Sequence, residues 1–462
     1  MEERLWFVGN EMYEHSKGVL YYVMNHCHVR MGGLLAASIA LRNQAETQEE
    51  KQTLINWTGM VMYKDGMAMN SLMPDGTSQE GVPYWEYGSE WLIKAGQLIR
   101  NAYDIDLFET THVLEHSGDY LLYNLLSKST WTMGQCLLNI GDSPTGNWNG
   151  PSLHLRFIAA EYGDATAQWL AQQIEEAGID VWSSQWMSVL YADPDLEPVQ
   201  PKDSETLKWF RDLDHVIARS DWSGNEDILS MKTGVPCGKN LMQMVQNGQY
   251  KGDPDAGHSH PDANHITLYS NGEFLLRDDG YSYKYASNHN TLLIGGQGQL
   301  GEGAWTQELE YINNNAVPQI KSAVSNNVWE YDYIVGDATE AYAVELGLEL
   351  FERNVLYLKK EKVLLIVDNI RTNSEADLEL RWYPASKAVA KSGTVYIAKS
   401  SNNVMNFYPL SENGLTSFEE VTVYGQDGVT SNEKTFRQTY TGTKWQNATA
   451  FSWSESAGMP AY

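Results

Sequence analysis

The hydrophobic pattern of the chain changes near residue 200, and this change constrains the fold more than any other feature. Before it, apolar residues recur with the period of an amphipathic helix. The predicted helices cover residues 33–42, 89–102, 119–127, 152–162 and 165–177. After it, β-branched and aromatic residues alternate with polar ones between Asn, Gly and Lys-Glu turns, which predicts antiparallel strands.

These two patterns predict a multi-domain α + β protein. Helices separated by loops of this length are typical of stacked helical hairpins, and the alternating half is typical of an antiparallel β-sandwich. The segment 193–205 is rich in proline and acidic residues and reads as a linker. The predicted domains are a helical domain at 1–192, that linker, a central antiparallel β-sandwich at 206–385 and a C-terminal β-sheet region at 386–462.

Composition excludes some classes of partner. The net charge is −28, from 60 acidic and 32 basic residues, so non-specific attraction to nucleic acid or to an anionic membrane is disfavoured. An anionic substrate would need a local pocket of His, Arg and amide donors. Three scattered cysteines are too few for a disulfide framework. No apolar run has the length of a membrane span, and the acidic N-terminus does not resemble a signal peptide, so we expect a soluble protein.

The segment 257–291 contains the densest cluster of residues able to bind metal or transfer protons, since three of the 11 histidines fall within residues 258–265. The His-x-His spacing of His258 and His260 would put both imidazoles on one face of an extended strand. Asp278 follows one strand later and His289 after a turn. Together, His260, Asp278 and His289 fit the three-ligand type of zinc site. Two other interpretations stay open: hydrogen-bonded histidines at a sheet edge, and a cupin-like oxygenase site, which also uses His-x-His on a strand.

Two motifs in the helical half are further candidates. Asn25 and His26 precede the helix-like GGLLAASIALR, where such a pair can hydrogen-bond a substrate carboxylate; the alternative is helix capping by Asn25 with a core histidine. The loop 75–88, DGTSQEGVPYWEYG, places Tyr84 where a shifted pKa would let it act as a general acid or base; the alternative is aromatic packing. The GQGQLG run at 296–301 matches a dinucleotide-binding motif but lacks the required βαβ context.

Taken together, the motifs NHCHVRMGGLLAASIAL, DGTSQEGVPYWEYG, RSDW and GHSHPDANHITLYSNGEFLLRDDGY…NHNT resemble the heparinase II/III-like polysaccharide lyases. Related alginate lyases and dermatan sulfate epimerases share these patterns. The resemblance runs from about residue 20 to 385, with the motifs in the same order. It implies an N-terminal (α/α) toroid, incomplete here because the chain starts close to the Asn-His motif, followed by antiparallel β-sheet domains. It also implies a secreted or periplasmic protein.

The resemblance further implies roles for individual residues. Asn25 and His26 would neutralise the uronate carboxylate, Tyr84 would exchange protons with the substrate, and His258 would face Tyr84 across the cleft. A structural zinc would be held by His260, Asp278 and His289. Substrate contacts are expected from Glu80, Trp85, Tyr87 and Tyr283. His28 has no clear counterpart in the family.

The implied reaction is β-elimination at a uronic acid within an acidic polysaccharide. Sparse Lys and Arg disfavour densely sulfated substrates, because sulfate recognition favours Arg forks. Three alternatives stay open: a uronyl C5-epimerase with the same residues, a catalytically silent glycan-binding protein, and a metal-dependent oxygenase on the β-sandwich.

Overall fold

The computed structural model describes residues 2–111, 114–133, 136–143, 152–179, 185–201, 205–278, 280–303, 305, 307–425, 428 and 430–456. Statements about the structure refer to these residues.

The N-terminal half is helical. Its helices are α1 (Glu2–Ser16), α2 (Asn25–Leu41), α3 (Gln48–Ser71), α4 (Gly81–Tyr103), α5 (Ser117–Asn124), α6 (Ser152–Tyr162), α7 (Ala165–Ala177) and α8 (Gln185–Leu190). Helix α3 begins with a capping box, in which Thr47 and Glu50 satisfy each other's backbone N–H groups. The side chain of Asp164 caps the N-terminus of helix α7, and the helix ends at Gly178, which adopts the left-handed conformation. No described helix is long and apolar enough to cross a membrane.

Helices α2 and α4 approach each other closely, and a glycine makes this possible. A Cβ at Gly88 would lie 3.2 Å from Cδ2 of His28 and 3.4 Å from Cα of Asn25. Gly88 lies one helical turn after Tyr84, on the same face of α4. This close approach therefore brings Tyr84 to the N-terminus of α2, where Asn25 and His26 lie.

The second half contains two antiparallel sheets. The smaller sheet consists of β1 (Leu207–Phe210), β2 (His215–Arg219), β3 (Ile228–Lys232), β4 (His265–Ser270) and β5 (Glu273–Leu276), paired in chain order. The strands of the larger sheet are β6 (Leu292–Ile294), β7 (Gln319–Asn326), β8 (Tyr331–Asp337), β9 (Leu348–Leu358), β10 (Val363–Trp382), β11 (Val389–Ser392), β12 (Val395–Lys399), β13 (Asn403–Pro409), β14 (Leu415–Tyr424) and β15 (Thr430–Glu455). Their order is β11-β12-β13-β15-β10-β9-β8-β7, with β14 on β15 and β6 on β10.

The two sheets form a sandwich with a common core. Val216 and Ile266 of the smaller sheet belong to the same buried cluster as Val355 and Ile366 of the larger one. Along β9 buried and half-buried residues alternate, as expected for a strand with one face toward the core. Two short helices, α9 (Gly238–Gln246) and α10 (Gln307–Asn313), lie between the strands in sequence.

The helical and β halves are packed on each other. One hydrophobic cluster combines helical residues such as Leu34 and Trp57 with Leu241 and Leu292. A second combines Leu121 and Phe157 with residues of the smaller sheet, such as Tyr269. The junction between the halves is therefore a packed interface, and the candidate site lies along it.

The α + β architecture with antiparallel sheets is as predicted, and the helices at 152–162 and 165–177 agree with it. Other details differ. Helix α2 starts eight residues before its predicted start of 33, and α1 and α3 were not predicted. The expected strand under His258 and His260 is wrong, because residues 251–264 form a loop. The GQGQLG run opens no helix; the strand before it, β6, pairs antiparallel with β10.

The predicted domain boundaries remain predictions. Residues 193–201 contain no helix or strand, and residues 202–204 of the predicted linker lie outside the described residues. The boundary at 385 separates β10 from β11, which belong to one sheet, and β10 pairs along its length with β15.

Candidate active site

Tyr84 of α4 and His258 of the loop before β4 are in direct contact. Their rings stack with centroids 3.6 Å apart and planes 11° apart. The Tyr84 hydroxyl donates a hydrogen bond to the hydroxyl of Tyr281 at 3.1 Å. Burial, followed by the contact with Tyr281, raises the pKa of Tyr84 well above its usual range, so the phenol is protonated at neutral pH. The helical half thus supplies a phenol, and the β half an imidazole, to one place.

Asp142, which the sequence patterns did not single out, holds the two histidines of the His-x-His motif. Its carboxylate lies 2.9 Å from Nδ1 of His258 and 2.9 Å from Nε2 of His260. The backbone N–H of Ser282 donates to it at 2.7 Å, and Lys284 Nζ lies 3.3 Å away. Burial opposes ionisation of Asp142, but the hydrogen bonds from both histidines and nearby positive charge outweigh it. The pKa of Asp142 therefore lies well below its usual range.

An ionised Asp142 fixes the tautomers of both histidines. A carboxylate only accepts hydrogen bonds, so His258 donates through Nδ1 and His260 through Nε2. In neutral His258 the lone pair is then on Nε2, which has no hydrogen-bond partner among the described residues. Gly141 keeps this arrangement tight, because a Cβ at that position would lie 2.8 Å from the His258 carbonyl oxygen.

Asn25 and Glu80 form a buried pair beside His258. Asn25 Nδ2 donates to Oε1 of Glu80 at 2.8 Å, and the Asn25 backbone N–H donates to Oε2 at 3.1 Å. Burial raises the pKa of Glu80 to about 8, and Oε1 lies 3.8 Å from Nε2 of His258. Asn25 therefore binds a carboxyl group of the protein itself, and its side chain does not cap α2.

His26 remains exposed at the start of α2. Partial desolvation, followed by the electrostatic effects of Arg30 and then of His258, lowers the pKa of His26. Arg30 lies one turn further along the same face of α2. His26 thus lies close enough to Arg30 of its own helix and to His258 of the opposite half for both to affect its pKa.

His260, Asp278 and His289 form a buried cluster whose ligand atoms lie within 4.8 Å of one another. Nδ1 of His260 lies 3.2 Å from Nε2 of His289, which is 3.3 Å from Oδ2 of Asp278. Tetrahedral ligands at Zn–N distances of about 2.0–2.1 Å are about 3.3 Å apart. These two separations match those of a tetrahedral zinc site, and the separation of His260 from Asp278 is no more than 4.8 Å.

The hydrogen bonds around this cluster leave two unprotonated imidazole nitrogens, Nδ1 of His260 and Nε2 of His289, facing each other. His289 donates through Nδ1 to the carbonyl of Tyr285 at 2.8 Å, and His260 donates through Nε2 to Asp142. Burial lowers the pKa of His289 to about 4, so a second proton is not held there at neutral pH. Two lone pairs and a carboxylate oxygen converging in a buried space fit a cation.

His265, which was not predicted as a site residue, orients Asp278. Its Nδ1 accepts the Asn290 backbone N–H at 2.8 Å, so the proton of neutral His265 is on Nε2, 3.2 Å from Oδ2 of Asp278. A protonated Nε2 cannot bind a metal. Burial opposes ionisation of Asp278, but His289 and His265 outweigh it and hold the pKa of Asp278 well below its usual range.

The other residues predicted to contact substrate, Trp85, Tyr87 and Tyr283, differ in how exposed they are. Trp85 is only 5 % exposed and packs near His154, with ring centroids 5.0 Å apart, so it offers no face to a sugar. Tyr87 is exposed, one turn after Tyr84. Tyr283 is half-buried two residues after Tyr281, which is 46 % exposed and makes the contact with Tyr84.

His28, the histidine without a family counterpart, is buried. Its Nδ1 lies 3.8 Å from Asp65.

Comparison with known proteins identifies the same architecture. Residues 228–454 match the family model described as heparinase II/III-like, C-terminal. A structure of heparinase III matches with a TM-score of 0.67 and 14 % identity over 94 % of this chain and 62 % of that chain. Heparan sulfate lyase from Pedobacter heparinus matches with a TM-score of 0.62 and 14 % identity, over 95 % of this chain and 61 % of that one.

A more distant match is chondroitin AC lyase from Streptomyces coelicolor A3 in complex with chondroitin sulphate. Its TM-score is 0.52 at 10 % identity, over 97 % of this chain and 62 % of that one. At these identities the likeness is one of fold. The chain spans about three fifths of the length of these solved structures.

Proposed function

We propose that this protein, a member of the heparinase II/III-like family through residues 228–454, is a polysaccharide lyase that cleaves a uronate polymer by β-elimination. The observation that carries the proposal is the contact of Tyr84 with His258, at 3.6 Å between ring centroids, beside the exposed His26. A phenol and an imidazole with different proton affinities form a general acid and a general base.

In this proposal His258 is the base. Its Nε2 lone pair takes the proton from C5 of the uronate, and the C5 electron pair forms the C4–C5 double bond as the C4–O4 bond breaks. Tyr84 gives its phenolic proton to O4. Because its pKa is raised, the Tyr84 phenol is protonated at neutral pH and holds the proton that it donates. The proton on His258 then returns to Tyr84, which lies against it, and the site is restored.

The uronate carboxylate needs positive charge or hydrogen-bond donors, since negative charge moves onto it as C5 loses its proton. His26 and Arg30, both on α2, supply hydrogen-bond donors and positive charge to the uronate carboxylate. Asn25 is fully buried and supports the site by holding Glu80 through its amide N–H. Glu80 stays protonated below about pH 8 and so adds no negative charge beside the substrate.

The contact between the Tyr84 and His258 rings also determines which uronate configurations this mechanism would accept. Because Tyr84 and His258 lie against each other, they reach a sugar from the same side. Elimination from one side requires C5–H and O4 to project from the same face of the ring. Glucuronate and mannuronate have this configuration, whereas iduronate and guluronate do not.

Zinc fits the cluster of His260, Asp278 and His289, as the facing lone pairs of the two histidines indicate. When bound, it supplies a structural cross-link between the loop that carries His258 and the segments after β5 and before β6. The acid and base steps use only side chains of the chain.

The test is incubation with a panel of uronate polymers: heparosan, heparan sulfate, chondroitin, dermatan sulfate, hyaluronan and alginate. A lyase produces chain ends with a double bond conjugated to the carboxylate, detected by ultraviolet absorbance and mass spectrometry. Inverted C5 without unsaturated ends would identify an epimerase. Binding without any product would identify a glycan-binding protein. Action on such polymers would locate the protein in the periplasm or outside the cell.

A further inference from the structure

A cavity of ≈ 150 Å³ lies between the helical half and the smaller sheet. Three tryptophans line it: the buried Trp131, and two half-buried ones, Trp169 of α7 and Trp222 of the loop between β2 and β3. Leu125 and Leu170 supply apolar surface. None of the lining residues in the described part of the chain belongs to the candidate active site.

Two charged side chains with unused hydrogen-bonding atoms line the same cavity. Arg219 and Glu226 are 2 % and 4 % exposed and form an ion pair. Arg219 Nη1 donates to the carbonyls of Tyr123 and Leu125 at 3.0 and 2.8 Å. Nε of Arg219 and Oε2 of Glu226 have no hydrogen-bond partner within the described residues. Two residues that line the cavity thus carry one buried donor and one buried acceptor that the described residues leave unpaired.

The guanidinium of Arg219 also lies 4.7 Å from the Trp222 ring centroid, which fixes that indole in place. At the rim, Lys128 donates to Gln173 at 2.7 Å. The cavity therefore combines pre-positioned aromatic faces, a buried donor and acceptor, and a polar rim. This combination is typical of a binding site for a small polar ligand.

We propose that this cavity binds one pyranose ring of a polysaccharide, at a position separate from the cleavage site. A pyranose presents an apolar patch of C–H groups to an indole face and hydroxyl groups at its edge. The hydroxyls can both donate to Glu226 Oε2 and accept from Arg219 Nε. A purely apolar ligand would leave both atoms unpaired, at a cost in free energy. Nucleic acid is disfavoured by the net charge of −28.

Affinity electrophoresis tests the proposal, in gels containing heparosan, heparan sulfate, chondroitin, alginate, or the neutral polymers dextran and galactomannan. The protein carries Tyr84→Phe throughout, so that no polymer is cut during the run. We expect retardation by at least one polymer, and about tenfold weaker binding after Trp169→Ala, since roughly 60 Å² of apolar contact is lost. Gln173→Ala at the rim should weaken the same binding, without involving the hydrophobic core.

The matched control is Trp329→Ala, which removes an indole that is 75 % exposed in the turn between β7 and β8. It should leave retardation unchanged, and thermal unfolding checks that every variant is folded. The acidic and neutral gels separate the two classes of glycan. Equal retardation of Trp169→Ala, Gln173→Ala and Trp329→Ala would overturn the proposal, as would no retardation by any polymer. The outcome is independent of lyase activity, which is measured by product formation.

Discussion

Tyr84 and His258 belong to different halves of the chain, yet their rings stack 3.6 Å apart and nearly parallel. The phenol comes from a helix, and the imidazole from a loop that Asp142 holds through both of its histidines. No sugar fits between rings at this distance. In the proposed mechanism, a substrate therefore approaches the edges of both rings, where the Tyr84 hydroxyl would supply the proton and Nε2 of His258 the lone pair.

Tyr84→Phe should lower the rate of unsaturated product formation by roughly 10²–10⁴-fold, because it removes the proton donor to O4. The ring and its stacking on His258 remain, so the melting temperature should change little. Tyr63→Phe is the matched control, since this tyrosine lies on α3, outside the candidate site, and is exposed. Full activity of Tyr84→Phe in the absorbance assay would remove Tyr84 from the mechanism.

Asp142→Asn should lower kcat by roughly 100-fold or more, within the range of a lost general base. The amide of Asn can donate to Nδ1 of His258, which would move the imidazole proton to Nε2 and abolish the lone pair used at C5. The exposed Asp377 offers a control, Asp377→Asn, on β10. If the pH–rate profile and kcat of Asp142→Asn match those of the unaltered protein, Asp142 does not set the tautomer of His258.

The sequence predicted those parts of the fold and site that depend on local pattern. The helices at 152–162 and 165–177 follow a regular apolar period. His260, Asp278 and His289 stand out by residue type, and the structure brings them together. Helix α3 escaped prediction because Lys64 and Asp65 interrupt its apolar face, although both are buried. Lys64 is accommodated by donating to the carbonyl of Ser16 at 2.6 Å.

Contacts between distant segments could not be predicted. Asp142 meets His258 across 116 positions of sequence, and a single aspartate in a loop carries no spacing signal. Asn25 likewise binds Glu80 across 55 positions. Trp85 illustrates another limit: neighbours on a helix point about 100° apart, so Tyr84 faces the site while Trp85 enters the core.

Zinc should stabilise the fold without being needed for the acid and base steps. Free metal about 100-fold above its Kd would contribute about 2.7 kcal/mol. We expect elemental analysis to find zinc, and a chelator to lower the melting temperature. Asp278→Asn should lose metal and the chelator effect together, whereas the exposed His15→Ala should keep both. A protein that contains no metal and ignores the chelator would refute the zinc site and leave the lyase proposal standing.

Glu80 should make the protein less stable as pH rises. Its pKa is about 8 in the fold and 4.5 as its ordinary value, so between these values the folded state holds a proton that the unfolded state has lost. The free energy of unfolding therefore falls with pH across this window, by at most roughly 1.4 kcal/mol per pH unit. Below about 4.5 and above about 8 the contribution is constant.

Glu80→Gln removes this dependence, and Glu49→Gln, at an exposed position of α3, serves as control. Urea unfolding at pH 5, 6, 7 and 8 would show the stability of Glu80→Gln rising relative to the unaltered protein with each step. A constant difference between the two proteins would mean that Glu80 is ionised in the fold throughout. Its proposed neutrality beside the uronate would then be wrong.

The preference among uronates follows from the placement of acid and base on one side of the sugar. Polymers in which C5–H and O4 share a face, such as heparosan and polymannuronate, should yield unsaturated ends. Dermatan, with iduronate, and polyguluronate should yield them at least roughly 100-fold more slowly, because misplacing a reacting group by about 1 Å already costs that much. Polymannuronate and polyguluronate differ mainly in the configuration at C5, so initial rates measured on this pair at equal uronate concentration isolate that variable. Faster cleavage of polyguluronate than of polymannuronate would require a base on the face opposite Tyr84, and His258, which lies against Tyr84, could not be that base.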